Sequence, residues 1–240
     1  MTDLNRKPIF DHVGPLIGGW DATKIAAMDR AIDAALGMVA APAISGTVQS
    51  PEDYVSTTLM AHEGKLSVDT KDRGNWFNGQ LVGSKYGITG AALAKYRGVK
   101  SITAQQMAAL TKAEAIQIAL ADYYHGPKID ELEWNAVTCS VLDMGYNAGP
   151  GTAIKLLQRM IGVNNDGGIG PFTDRAYSEY IEDHGVVKAA EAYCDARLSY
   201  YDAIIRARPA NAKYRNGWKA RAQSFTSSSP WWKQFHGGAA

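Results

Sequence analysis

The sequence predicts a mainly α fold with a small β-hairpin or loop lobe and an N-terminal helical hairpin. Apolar residues recur at helical spacing through most of its 240 residues, and the breaks between these runs fall at Gly and Pro. One stretch differs. Residues 65–88 have no helical period, and from Gly64 onward the chain holds five glycines (Gly64, Gly74, Gly79, Gly83 and Gly87), with Trp76, Phe77 and Tyr86 among them.

Residues 8–17 and 22–36 place apolar side chains at helical spacing, the second through Ile25, Met28, Ile32 and Leu36, and Gly18-Gly19 separates the two. Ala40 to Gln49 has small residues, Pro42, Gly46 and no charge, the composition of a tether. Ser50-Pro51-Glu52-Asp53 then starts a helix, with Ser50 as N-cap, proline at the first helical position and acids where the helix dipole favours them. That helix runs through Val55, Leu59 and Met60 to His62 and Glu63, and Gly64 is its natural stop. Helical patterns resume at Thr89, Thr103 and Thr111, where Thr111-Lys112-Ala113-Glu114 reads as a capping box for a helix ending near Tyr124. The segment Glu133 to Ala148 puts Trp134, Val137, Val141 and Met144 on one face and stops at Gly149-Pro150-Gly151, which predicts the central buried helix. Helices over 152–161, 172–183 and 186–206 follow, before a basic, aromatic tail with Trp218, Trp231 and Trp232. These breaks divide the chain into 1–49, 50–126 and 127–240. The last is expected to pack into the same body as the second, because its apolar faces need a larger core than it can supply alone.

Composition removes several function classes. Lys plus Arg number 25 against 24 Asp plus Glu, a net charge of +1, so the chain lacks the excess charge that neutralises many phosphates and no nucleic-acid partner is expected. Cys139 and Cys194 have no metal-ligand spacing and read as buried thiols, with no metal and no cofactor. The longest uncharged run, Ala34 to Pro51, is Ala- and Gly-rich and holds Pro42, so it lacks the ~20 strongly apolar residues of a spanning helix and no stable membrane insertion is expected. Asp3 and Asp11 leave no apolar core for a secretory signal, which points to a start in the cytoplasm. A monomer is expected.

Glu63 and Asp72 are the candidate pair for the chemistry. Cleaving a glycosidic bond needs a protonated carboxyl beside the leaving oxygen and a second carboxylate that activates water or stabilises the oxocarbenium-like transition state. Nine residues of continuous helix would hold the two about 13 Å apart. The glycines instead let the loop fold back so that the two face each other across a cleft. A raised Glu63 pKa would follow from an apolar wall, for which Trp76, Tyr86 and Tyr146 are candidates. Each residue also has a plainer role. Glu63 before Gly64 fits a solvated helix end, Asp72 between Lys71 and Arg73 fits a surface acid, and Ser84 fits a turn hydroxyl.

Glu63-Gly64, Gly74-Asn75-Trp76 and Gly83-Ser84-Lys85-Tyr86-Gly87-Ile88-Thr89 together resemble glycoside hydrolase family 108, phage and bacterial N-acetylmuramidases of endolysin and secretion-activator type. The resemblance implies a lysozyme-like helical fold and places that family's catalytic glutamate on Glu63. The sequence departs from the family at Lys65, where a second glycine is usual. The order Glu63, Asp72, hydroxyl also resembles the Glu-Asp-Thr arrangement of phage-type lysozymes, with Asp72 assisting water or cation and Ser84 in the threonine's place. Asp143-Met144-Gly145-Tyr146-Asn147-Ala148-Gly149-Pro150-Gly151, Leu156-Leu157-Gln158 and Asn165-Asp166-Gly167-Gly168-Ile169-Gly170-Pro171 are similar to the predicted peptidoglycan-binding region that accompanies the family. Taken alone, the Asp166–Pro171 run reads as a tight turn needing positive φ. Tyr146 and Asn147, at a helix end, are candidates to bind an N-acetyl sugar.

These resemblances imply an endolysin that hydrolyses the β-1,4 bond between N-acetylmuramic acid and N-acetylglucosamine, with Glu63 as general acid and peptidoglycan glycan strands as partner. Tyr146-Asn147-Ala148-Gly149 also resembles lytic transglycosylases, which keeps that reaction as an alternative beside a non-catalytic peptidoglycan-binding lysis or virion protein. Residues 1–49 resemble, by position, the leader of phage cell-wall hydrolases. Access to the wall from a host cytoplasm is expected to need a holin or similar partner.

Overall fold

The computed structural model describes residues 50–60 and 66–235. The N-terminal hairpin and tether, and the segment containing Glu63, Gly64 and Lys65, lie outside the described residues. The first helix, α1 (Pro51–Tyr54), starts as its sequence dictates. The Ser50 hydroxyl accepts the Asp53 N–H at 3.0 Å, and the Asp53 carboxylate accepts the Ser50 N–H. It passes directly into a π-helical turn, Val55–Leu59, and the helical path ends at Met60. Tyr54, Val55, Leu59 and Met60 are buried.

Residues 66–89 form the β lobe. Strands β1 (Trp76–Phe77) and β2 (Gln80–Leu81) make one antiparallel pair, and β3 (Ser84–Lys85) and β4 (Ile88–Thr89) a second. Both hairpins close with two left-handed residues, Asn78-Gly79 (φ 50° and 76°) and Tyr86-Gly87 (φ 54° and 73°). These are type I′ geometries, in which a bulky aromatic such as Tyr86 is uncommon. Lys85 anchors the second hairpin by donating to the Ala108 and Leu110 carbonyls.

Each expected threonine caps a helix: Thr89 for α2 (Gly90–Arg97), Thr103 for α3 (Ala104–Ala108) and Thr111 for α4 (Lys112–Leu120). After α4 the chain makes a second π turn, Ala121–His125. The central helix α5 (Ala136–Ala148) begins later than the apolar pattern, because Asn135 caps it and is itself held by the Tyr177 hydroxyl. Its residues Ala136 to Gly145 are all buried. Helices α6 (Pro150–Met160) and α7 (Pro171–Ala207) pack on it, and α7 is broken at Gly185 (φ 76°, ψ 154°), which restores the two expected helices. Helix α8 (Arg215–Gln223) packs on α7, and α9 (Pro230–Phe235) follows.

The turn before α7 organises around buried Gln158. Its amide donates to the Asp166 carboxylate and the Gly168 carbonyl, and its carbonyl accepts the Gly167 N–H. Gly167 has the positive φ expected of this turn, 86°. Cys139 and Cys194 are buried free thiols. The expected plan, mainly α and lysozyme-like with a small β lobe, is the one observed.

Candidate active site

The β lobe is built around Asn75, which is completely buried. Its side-chain amide donates to the Ser67 hydroxyl and the Asp69 carbonyl, and its backbone carbonyl accepts the N–H groups of Val82 and Gly83. The residue therefore ties the 67–69 loop to the start of the second hairpin. Ser67 and Ser84 pair through both of their backbone hydrogen bonds, at 2.8 and 3.0 Å.

Asp72 is the N-cap of the short 3₁₀ turn Arg73–Asn75. Its Oδ1 accepts the Gly74 N–H at 2.8 Å, an Asx turn that fixes the carboxylate, while Oδ2 accepts no hydrogen bond from a described residue. The residue is exposed. The surface-acid role and the reactive role are thus compatible, since they use different oxygens.

Ser84 lies directly across the β3–β4 hairpin from Thr89. Thr89 in turn lies beside Gly74, where an added methyl would come within 3.5 Å of its Cγ2. Asp72, Ser84 and Thr89 therefore share one neighbourhood. The sequence reading missed Thr89 as a member because its hydroxyl signalled a helix cap, a role it fills by accepting the Ala92 N–H.

Trp76 is 44% exposed, and its indole N–H donates to the Thr70 carbonyl. That bond holds a broad apolar face open to solvent, the kind of surface on which a sugar ring stacks. Tyr86 is half-buried in its left-handed turn, with the Lys85 ammonium 5.3 Å from the ring centroid.

Tyr146 and Asn147 sit at the end of α5, as expected. Tyr146 packs on Tyr123 with ring centroids 5.0 Å apart. The Asn147 amide donates to the Tyr201 hydroxyl at 3.0 Å. No hydrogen bond or ring contact among the described residues joins these two to Asp72, Trp76, Ser84 or Tyr86. Glu63 lies outside the described residues, three residues beyond Met60.

One buried polar cluster went unread in the sequence. Asp143, 1% exposed on α5, accepts the Tyr54 hydroxyl at 2.7 Å, Arg197 Nη2 at 2.7 Å, and a fork from Arg221 at 2.8–3.0 Å. Burial by itself would raise the Asp143 carboxyl. The Arg197 guanidinium, then Arg221 and the Tyr54 hydroxyl, outweigh it and hold the carboxyl below the usual range. Burial, and then the Asp143 charge, push the Tyr54 phenol well up, so it remains a donor. The signal that could have found this cluster is a lone carboxylate inside the apolar run Val137 to Met144, because a buried charge demands partners.

Among the described residues, no three His, Cys, Asp or Glu side chains converge as a metal site, and no helix is long and apolar enough to cross a membrane. A cleft of about 670 Å³ between α7, α8 and α9, lined in part by Glu191, Asp195, Gln223 and Trp231, contains none of the site residues expected from sequence.

Residues 56–149 match the family described as glycosyl hydrolase 108, and residues 152–223 match the one described as predicted peptidoglycan domain. Among solved structures, Brucella abortus SagA is similar, with a TM-score of 0.55 and 26% identity over 72% of this chain and 90% of that one. No curated protein matches the chain.

Proposed function

We propose that this chain, a member of glycosyl hydrolase family 108 by its match over residues 56–149 and matched over residues 152–223 by a predicted peptidoglycan domain, is an N-acetylmuramidase in which Glu63 is the general acid. Its activity is that of a glycoside hydrolase acting on peptidoglycan. The bond it hydrolyses is the β-1,4 bond between N-acetylmuramic acid and N-acetylglucosamine.

Glu63 gives its proton to the glycosidic oxygen as the bond to the anomeric carbon breaks, and water supplies the new bond to that carbon. Asp72 assists that water or the oxocarbenium-like cation. Ser84 positions the water or a sugar hydroxyl, Trp76 and Tyr86 offer ring faces to the glycan, and Tyr146 and Asn147 serve the N-acetyl groups. The observation that supports the reading is Asp72, exposed and fixed through Oδ1 by Gly74, with Oδ2 accepting no hydrogen bond from a described residue. In a host cell this activity would lyse the wall, reached from the cytoplasm with a holin-like partner.

The test is clearing of outer-membrane-permeabilised Gram-negative cells at several pH values. Glu63→Gln is expected to lower the rate by about 10²- to 10⁴-fold while the protein stays folded. Asp72→Asn is expected to lower it less, because the Asx turn survives through the amide oxygen. Full clearing by Glu63→Gln would refute the assignment, and a wild type that binds murein without clearing cells would refute the enzyme. Mass spectrometry of the fragments separates the reactions: a reducing muramic acid marks hydrolysis, an anhydro sugar marks transglycosylation.

A further inference from the structure

Asn75 holds Asp72 from two sides. Its N–H donates to the Asp72 carbonyl at 3.1 Å, which closes the 3₁₀ turn that Asp72 caps. Its side-chain amide donates to the Asp69 carbonyl at 3.0 Å, and the same carbonyl accepts the Asp72 N–H at 3.2 Å. Both peptide groups that flank the Asp72 Cα are therefore tied to Asn75, one directly and one through a shared acceptor. With Oδ1 committed to the Gly74 N–H, the direction of Oδ2 follows the turn.

Asn75 is anchored in turn. Its backbone carbonyl accepts the Val82 and Gly83 N–H groups at 2.9 Å each, just ahead of the strand that carries Ser84. The Asx bond to Gly74 and the backbone bond from residue 75 to Asp72 would close the turn with any residue at position 75. The side-chain amide adds something else. It fastens the chain before Asp72 to the chain after it, and an exposed carboxylate that must meet water or a developing cation needs its position fixed in this way.

We propose that Asn75 is a positioning residue for Asp72: by sharing the Asp69 carbonyl with the Asp72 N–H, its side-chain amide sets where the open Oδ2 stands relative to the second hairpin. This rests on the reading of Asp72 as the carboxylate that assists water or the cation. Asn75 is completely buried and does no chemistry itself.

The variant that tests it in the full chain is Asn75→Ala, which removes the amide and leaves the backbone bonds of residue 75. On solubilised peptidoglycan glycan strands kcat is expected to fall about 10- to 100-fold, the size of effect that a small misplacement of a reacting group produces. KM stays at the wild-type value, because Asp72 acts in the transition state. Ser67→Ala removes the other acceptor of the same amide, keeps the Asp69 bond and is expected to keep the wild-type kcat. The readout that a merely structural role would not move is Asn75→Ala combined with Asp72→Asn. Once the carboxylate is gone its placement no longer matters, so the combined variant is expected to match Asp72→Asn rather than multiply the two losses. Asn75→Ser, whose shorter arm withdraws the donor from Asp69, takes the same test if Asn75→Ala does not fold.

A wild-type kcat in Asn75→Ala would overturn the proposal. So would multiplied losses in the combined variant, an equal fall in Ser67→Ala, or loss of the fold in both Asn75 variants, since a general role in the lobe would then account for the effect. Asp72→Asn alone separates the two failures. If Asp72→Asn is slowed and Asn75→Ala is not, the positioning role falls and Asp72 stands. If Asp72→Asn is as active as the wild type, the role of Asp72 falls and that of Asn75 with it.

Discussion

Gly83 shows how one backbone position governs the β lobe. At φ 82° it occupies the left-handed region, and a Cβ there would come within 2.7 Å of the Ser67 carbonyl oxygen. That oxygen accepts the Ser84 N–H, so Gly83→Ala would push apart the bridge that holds Ser84. The substitution is expected to destabilise the protein by about 2 kcal/mol, readable by urea denaturation. The glycine was visible in the sequence, but the lack of room for a Cβ was not, because the crowding atom belongs to a residue sixteen positions earlier. Asn75 was equally opaque. In the sequence it stood only as part of the motif Gly74-Asn75-Trp76, whereas its amide organises the lobe from the inside. Asp72 was legible as a carboxylate, and the fold adds which oxygen is already committed.

At the scale of elements, capping made the helix starts legible. Ser50, Thr89, Thr103 and Thr111 all accept a backbone N–H at the first turn, as their spacing predicts. Ser50→Ala is expected to cost about 1 kcal/mol in urea denaturation, by removing the acceptor for the Asp53 N–H. Gly185 is a break that the apolar pattern foresaw, and its left-handed φ explains why the helix cannot run straight through it. Other elements gave no local sign. The π turns Val55–Leu59 and Ala121–His125 have no composition of their own, since one extra residue per turn leaves the apolar stripe nearly intact. The four strands among the described residues have two residues each, too few for alternation to show.

For the whole molecule, the Asp143 cluster predicts an acid-sensitive fold. The folded carboxyl titrates below its ordinary value, so the stability it contributes is complete above the unfolded aspartate pKa of about 3.9 and drains away as pH falls below that. Asp143→Asn leaves Arg197 and Arg221 without their counter-charge, so it is expected to be less stable than wild type at pH 6. The gap between the two is expected to narrow from about pH 4 toward pH 2, where wild-type Asp143 also loses its charge. Denaturant unfolding at a series of pH values measures this directly, and a gap constant across that range would show that the carboxylate charge contributes nothing.

The sequence by itself determined the capped helix starts at Ser50, Thr89, Thr103 and Thr111, the Gly-rich lobe, the spacing of Glu63 and Asp72, and the family that these residues resemble. All of these depend on neighbours within a few residues, where caps, turns and apolar periodicity act. Only the tertiary structure decided which distant groups meet. Tyr54 reaches Asp143 across 89 residues, Arg197 across 54 and Arg221 across 78, and Asn147 meets Tyr201 across 54. Such pairings arise when α5, α7 and α8 pack, and the desolvation of Asp143 that makes its partners obligatory exists only once that packing has excluded water.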